Sequence, residues 1–271
     1  MTEVKIEVSG GELAYETAGT GPPVLFVHSV IADGRMWDRE VPRYSANYQA
    51  IRFDLRGFGR SSPASSPFSY TDDVKTLLSR LQARSTYLVG SSMGGAIAID
   101  FALQNPTMVR GLFLAAPGLF GGIQPPFTPD EQTALDFDDK KSQEVAQAWS
   151  KGDRPAAFDL LRQLWCSALQ GPELELFRAM VEQNALEVFE DRSGRHVKPE
   201  PSAGRLSSIR VPTTILVGDR DNPSMEVFAK RIAGSIPGAR IVAVHGADHL
   251  INLSRPRDFD AALDAALSGH A

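Results

Sequence analysis

The sequence contains a single cysteine, Cys166. One thiol cannot staple a chain to itself, so no disulfide framework exists. Cys166 closes the apolar run Leu161-Arg162-Gln163-Leu164-Trp165-Cys166, which marks it as a small buried hydrophobe. No stretch is long and apolar enough for a membrane span. The opening Met1-Thr2-Glu3-Val4-Lys5 has no apolar signal region, so a soluble cytoplasmic protein without membrane contact is expected. Dense runs of Lys and Arg are also missing, and the net charge is −5. That argues against nucleic acid as a partner, because phosphate binding needs clustered cations. Metal-ligand spacings built from histidines or paired cysteines are absent, so neither metal nor cofactor is expected. There is no internal repeat and no low-complexity tract. Nothing in the sequence indicates an oligomeric state.

What is present is an ordinary globular balance, 42% hydrophobic and 23% charged, in 271 residues. This suits one large α/β domain or a domain with an insertion. Ile6-Glu7-Val8 and Leu13-Ala14-Tyr15-Glu16-Thr17 alternate around Gly10-Gly11, a hairpin signal. Val24-Leu25-Phe26-Val27 is continuously apolar, as a strand buried on both faces must be. Further strands are expected at Ala50–Phe53, Thr86–Val89, Gly111–Ala116, Thr213–Val217 and Arg240–Val244. Helical faces alternate with them: Val74, Leu77, Leu78 and Leu81; then Met225, Phe228, Ile232 and Ile236; then Phe259, Leu263, Ala266 and Leu267. Such alternation implies a mainly parallel sheet covered on both faces. Between about Leu119 and Arg205 the rhythm changes to helical faces alone, at Val145 with Trp149, at Leu161, Leu164, Trp165, Ala168 and Leu169, and at Leu174, Phe177, Val181 and Val188.

The chain is organised around Gly90-Ser91-Ser92-Met93-Gly94-Gly95. It lies between the strand Thr86–Val89 and an expected helix from Ala96. A glycine–x–serine–x–glycine pattern there makes a sharp strand-to-helix turn that lifts the central hydroxyl clear of the sheet. Glycines are needed two residues either side, where a side chain would strike neighbouring backbone. Reactive groups on a parallel sheet collect at the carboxyl ends of strands. Ser92 follows one strand, Asp219 and Asp221 follow Val217-Gly218, and His245 and His249 follow the last strand. The order Ser, Asp, His is that of hydrolases with this elbow.

With Val27-His28, Asp54-Leu55-Arg56-Gly57-Phe58-Gly59-Arg60-Ser61, Gly218-Asp219-Arg220-Asp221 and Gly246-Ala247-Asp248-His249, the sequence resembles the α/β-hydrolase superfamily over essentially its whole length. The branch it looks most like holds small esterases, 3-oxoadipate enol-lactonases and cofactor-free haloperoxidases. The resemblance implies the α/β-hydrolase fold: a mostly parallel twisted sheet with helices on both faces and a helical cap insertion. The core is then 1–118 and 206–271, and the cap is 119–205. It implies a serine hydrolase in which Ser92 is the nucleophile, His249 the base and Asp221 the acid. Asp219 and Asp248 are left as solvated or capping loop residues. The oxyanion donors implied are the backbone N–H groups of Met93 and of Val30 or Ser29, since this chain has Ser29 where the family usually has glycine.

His28 is expected to orient or support the loop and is a candidate for the pocket with Trp149, Trp165 and Phe177. Asp54 and Arg56 are expected to brace loops. The expected substrate is a small to medium, largely apolar carboxylic ester or lactone, with short-acyl aryl esters preferred over highly charged ones. Carbon–carbon bond hydrolysis, perhydrolase or haloperoxidase chemistry, and a ligand receptor with vestigial turnover remain open on the same scaffold.

Overall fold

The computed structural model describes residues 4–190, 193–197 and 199–269. Its strands are Val4–Val8 (β1), Gly11–Ala18 (β2), Pro23–Val27 (β3), Gln49–Phe53 (β4), Thr86–Ser91 (β5), Val109–Ala115 (β6), Thr213–Gly218 (β7) and Arg240–Val244 (β8). They form one sheet in the order β1-β2-β4-β3-β5-β6-β7-β8. The hairpin β1–β2 and the pair β2–β4 are antiparallel, and every pair from β4 to β8 is parallel. The α-helices are Glu40–Tyr44 (α1), Tyr70–Arg80 (α2), Met93–Gln104 (α3), Pro129–Ser150 (α4), Arg154–Trp165 (α5), Gly171–Gln183 (α6), Ala185–Phe189 (α7), Pro223–Ser235 (α8), Ile251–Ser254 (α9) and Pro256–Ser268 (α10). Among the described residues no helix is long and apolar enough to cross a membrane.

Strand side chains alternate between two faces. Leu25, Val27, Leu88, Leu114 and Ile215 pack on one side with Leu77 of α2, Ile97 and Phe101 of α3 and Ile232 of α8. Val24, Phe26, Val89, Phe113 and Leu216 pack on the other with Val41 of α1 and Phe259 and Leu263 of α10. Both faces are therefore covered, and this explains why the parallel strands read as unbroken apolar runs rather than alternating ones.

The segment between β6 and β7 is helical, carrying α4 to α7. α4 begins with a reciprocal cap: Glu131 N–H donates to Thr128 Oγ1 and Thr128 N–H to Glu131 Oε2. Only Val145 of its 22 residues is buried, so α4 lies along the surface. α5 buries Ala157, Phe158, Leu161 and Leu164 along one stripe. The apolar periodicity continues past it in the sequence, but the helix stops at Trp165. Ala168 N–H donates to the Asp248 carboxylate instead of to a helical carbonyl, and His249 N–H takes the Trp165 carbonyl. Tertiary hydrogen bonds have overridden local pattern there.

Candidate active site

Ser92 stands between β5 and α3 with φ +53° and ψ −114°. A non-glycine residue holds this conformation at a cost of about 1–3 kcal/mol, and only where its surroundings over-determine it. They do so here. Ser92 N–H donates to the Ala115 carbonyl and Gly118 N–H donates to the Ser92 carbonyl, both at 3.0 Å. A Cβ on Gly90 would lie 2.4 Å from the Gly94 oxygen, and one on Gly94 would lie 2.2 Å from the Val27 oxygen. The two flanking glycines are therefore steric necessities. Ser91 is buried, and its hydroxyl has no hydrogen-bond partner among the described residues.

Asp221, three residues past the end of β7, and His249, in the loop after β8, form a buried pair. The side chains are 1% and 3% exposed, and His249 Nδ1 lies 2.9 Å from Asp221 Oδ2 and 3.1 Å from Oδ1. A carboxylate accepts, so Nδ1 carries the proton and Nε2 is left with its lone pair. Asn222 N–H donates to Asp221 Oδ1 at 2.7 Å and helps fix the acid. Trp165 packs its ring against the imidazole, with centroids 4.5 Å apart.

Ser92 and His249 border one cavity of about 190 Å3. Val30 and Ile31 of the core close part of it. Ser142, Val145, Ala146, Leu161, Leu164, Trp165, Val188 and Phe189 of the helical segment line the rest. Of the two residues open as second oxyanion donor, Val30 borders this cavity, whereas Ser29 is fully buried and its hydroxyl accepts from Ile31 N–H. Met93 is the first residue of α3, so its N–H has no acceptor within the helix.

The four pocket candidates go to four different places. Trp165 lines the cavity. Trp149 stacks on Phe189 at 4.4 Å, behind the lining, with the Arg154 guanidinium over the Trp149 ring. Phe177 is fully buried against Phe158 inside the helical segment. His28 is enclosed: Leu55 N–H donates to its Nε2 at 2.9 Å and its Nδ1 donates to the Ser29 carbonyl at 2.8 Å. Burial pushes its pKa down, against the pull of Asp54 and Asp33. It supports a loop. Asp54 does likewise, accepting from Gly34 N–H and Arg60 N–H, while Arg56 forks onto Asp73.

Two neighbours of the pair differ from expectation or went unseen. Asp248 is fully buried rather than solvated. Burial raises its pKa, and Asp221 adds to the rise. Its Oδ2 holds the turn after α5 through Ala168 N–H at 2.9 Å. Asp138 of α4 accepts from Asn222 Nδ2 at 2.8 Å and from Ser224 Oγ at 3.0 Å. Burial raises its pKa, and those two hydrogen bonds oppose the rise. The helical segment thus grips the acid loop through Asp138 and the histidine loop through Ala168 and Trp165. No local signal could have singled out Asp138 among the neighbouring acids Asp130, Asp136 and Asp139.

An open, mostly parallel sheet with a strained serine at a strand-to-helix turn and a His–Asp pair in the loops after β7 and β8 is the architecture of α/β hydrolases. The model of the alpha/beta hydrolase family matches residues 24–262, and the chain belongs to that family. It is 29% identical over 244 residues to an AB hydrolase superfamily protein, YisY, of Bacillus subtilis (strain 168), covering 88% of each chain. It is 28% identical to a putative non-heme chloroperoxidase of Synechocystis, covering 89% of each. Among solved structures, a thermophilic esterase from Thermogutta terrifontis superposes with a TM-score of 0.76 at 26% identity, over 100% of both chains.

Proposed function

We propose that the protein is a serine hydrolase of carboxylic esters or lactones, with Ser92 as nucleophile, His249 as base and Asp221 as orienting acid. The observation that carries this is the buried Asp221–His249 pair opening on the same apolar cavity as strained Ser92. A serine hydroxyl attacks a carbonyl only when a base removes its proton. His249 with Nδ1 held by Asp221 presents a free Nε2 for that task. The N–H groups of Met93 and Val30 receive the oxyanion. An acyl-enzyme forms on Ser92, and water activated by His249 releases it.

Residues 119–205 act as the cap that excludes water and shapes the pocket. The apolar lining supports uncharged substrates. Likeness to an esterase supports ester cleavage, and likeness to a chloroperoxidase supports a side reaction in which peroxide replaces water at the acyl-enzyme. Fluorophosphonate labelling with peptide mapping, followed by turnover of an ester and lactone panel, tests the reading. Modification at Ser92 and multiple turnovers are expected. Labelling elsewhere, or one slow turnover without release, contradicts it.

A further inference from the structure

A second cavity, of about 610 Å3, adjoins the Ser92 cavity. Val30, Val188 and Phe189 border both, so the end of α7 and the loop after β3 form a shared wall. Ser92 and His249 border the smaller cavity, and Met93, the residue after the nucleophile, borders the larger. The two spaces therefore flank the Ser92–Met93 turn, one at the hydroxyl and the other at the following residue.

Their linings differ in chemistry. Among the described residues, Ser142 joins Ser92 and His249 as a polar side chain at the smaller cavity, whose other lining is apolar or aromatic. The larger is bordered by Phe58, Phe68 and Tyr70 together with Arg56, Arg195 and Glu190. Part of its aromatic wall is held by an ion pair and ring contacts. Arg56 is forked onto Asp73 at 2.9 and 2.7 Å, its guanidinium lies 4.8 Å from the Phe68 ring centroid, and Phe68 meets Tyr70 edge-on at 5.0 Å.

Resting on the serine-hydrolase reading, we infer that the two cavities divide an ester at its scissile bond, the alcohol in the smaller and the acyl group in the larger. The proton decides which goes where. Ser92 Oγ bonds to the carbonyl carbon as its own proton passes to His249. When the carbon–oxygen bond to the alcohol breaks, its electron pair stays on the leaving oxygen, which takes that proton from His249. Water then adds to the acyl-enzyme, gives a proton to His249, and Ser92 recovers it as the acid leaves. The leaving oxygen must lie within hydrogen-bond reach of the imidazole. The alcohol therefore departs on the His249 side, into the smaller cavity. The carbonyl oxygen turns toward Met93 N–H, and the acyl chain continues past it into the larger cavity.

Size then names the substrate class. An apolar cavity of about 150 Å3 takes up benzene, so the smaller space holds an alcohol of up to about six carbons. The larger falls in the volume range of ordinary ligand pockets, and its wall suits an aryl-bearing acyl group with hydrogen-bonding substituents. This is the reverse of the short-acyl aryl ester expected from the sequence.

Two isomeric esters test the division. Methyl 3-phenylpropanoate and 2-phenylethyl acetate contain the same atoms with the ester reversed. We expect kcat/KM about tenfold or more in favour of the first, the size of effect that pocket fit alone provides. Ala146→Trp, on the exposed side of α4 and reaching into the smaller cavity, should lower the ratio of butyl to methyl 3-phenylpropanoate turnover by about tenfold. Equal rates, preference for 2-phenylethyl acetate, an unchanged butyl-to-methyl ratio, or turnover of other esters with neither isomer accepted overturns the division alone. No turnover of any ester, with Ser92 inert to fluorophosphonate, overturns the hydrolase reading beneath it.

Discussion

Two histidine–aspartate pairs join the loop after β7 to the loop after β8. Asp219 meets His245 at 2.5 Å, and Asp221 meets His249 at 2.9 Å. The chemistry of the two pairs is the same, but the His245 side chain is 98% exposed and that of His249 is 3% exposed. Asp219 also accepts from Gly246 N–H, the main reason its carboxyl titrates lower than usual, with His245 adding to it. The surface pair exchanges its partners freely with water and is screened by salt. The buried pair has no such exchange, so its orientation is fixed, and it faces a cavity with a serine in it. A shift of two residues along one loop and four along the other separates a surface contact from a buried pair that borders the proposed active site. Burial and direction, more than residue type, decide what a His–Asp pair can do.

The sharpest way to break this comparison is through the serine whose cavity only one of the two histidines borders. Ser92→Ala should lower kcat by roughly 10⁴-fold with the fold retained, whereas Ser91→Ala should leave kcat nearly unchanged. Equal losses would mean that the elbow geometry, rather than the hydroxyl, was disturbed. His249→Ala should likewise cost about 10³-fold or more, and His245→Ala less than about threefold. Steady-state kinetics on one ester, normalised to folded protein, checks both.

Smaller effects sharpen the comparison by probing what holds the buried pair. Asp138→Ala removes the acceptor for Asn222 Nδ2, whose residue in turn bonds Asp221. We expect about a tenfold loss of kcat per titrated active site, since small misplacements of a catalytic group carry penalties of this order. Asn222→Ala should lose as much, and the double variant no more than either. Additive losses would show that Asp138 does not act through Asn222.

The smallest effect concerns a carboxyl whose burial outweighs its one nearby cation, the half-exposed Arg39 guanidinium at 3.7 Å. Glu40 is fully buried, and burial lifts its pKa from 4.5 to about 7, with Arg39 opposing. The folded protein then keeps a proton that the unfolded chain has released, so stability falls as pH rises from 4.5 to about 7. Glu40→Gln should flatten that slope and make the protein more stable at pH 8 by about 1–3 kcal/mol. Urea unfolding at pH 4.5 and pH 8 measures it, and a wild-type protein equally stable at both would contradict the assignment.

Much of this architecture was legible because it is written locally. Gly90 and Gly94 stand where a Cβ would collide, so the turn requires its motif. The two-sided sheet requires unbroken apolar strands such as Val24–Val27. What was not legible is written in partners far apart in sequence. Asp138 meets Asn222 across 84 residues and Asp248 meets Ala168 across 80. Asp248 looks like a loop acid until α5 is seen to end against it. The aromatic residues of the helical segment show the same limit: composition could supply Trp149, Trp165 and Phe177, but only packing separates the one beside His249 from the one behind Phe189 and the one inside the segment.

The most direct test of the central claim is a side-by-side comparison of Asp221→Asn and Asp219→Asn in kcat for a good ester, with thermal melting as the control. An asparagine at 221 can no longer hold the imidazole in the tautomer that frees Nε2. The account predicts a loss of about 10³–10⁴-fold for Asp221→Asn, less than about threefold for Asp219→Asn, and both proteins folded. A mild effect at 221 with a severe one at 219 would contradict it.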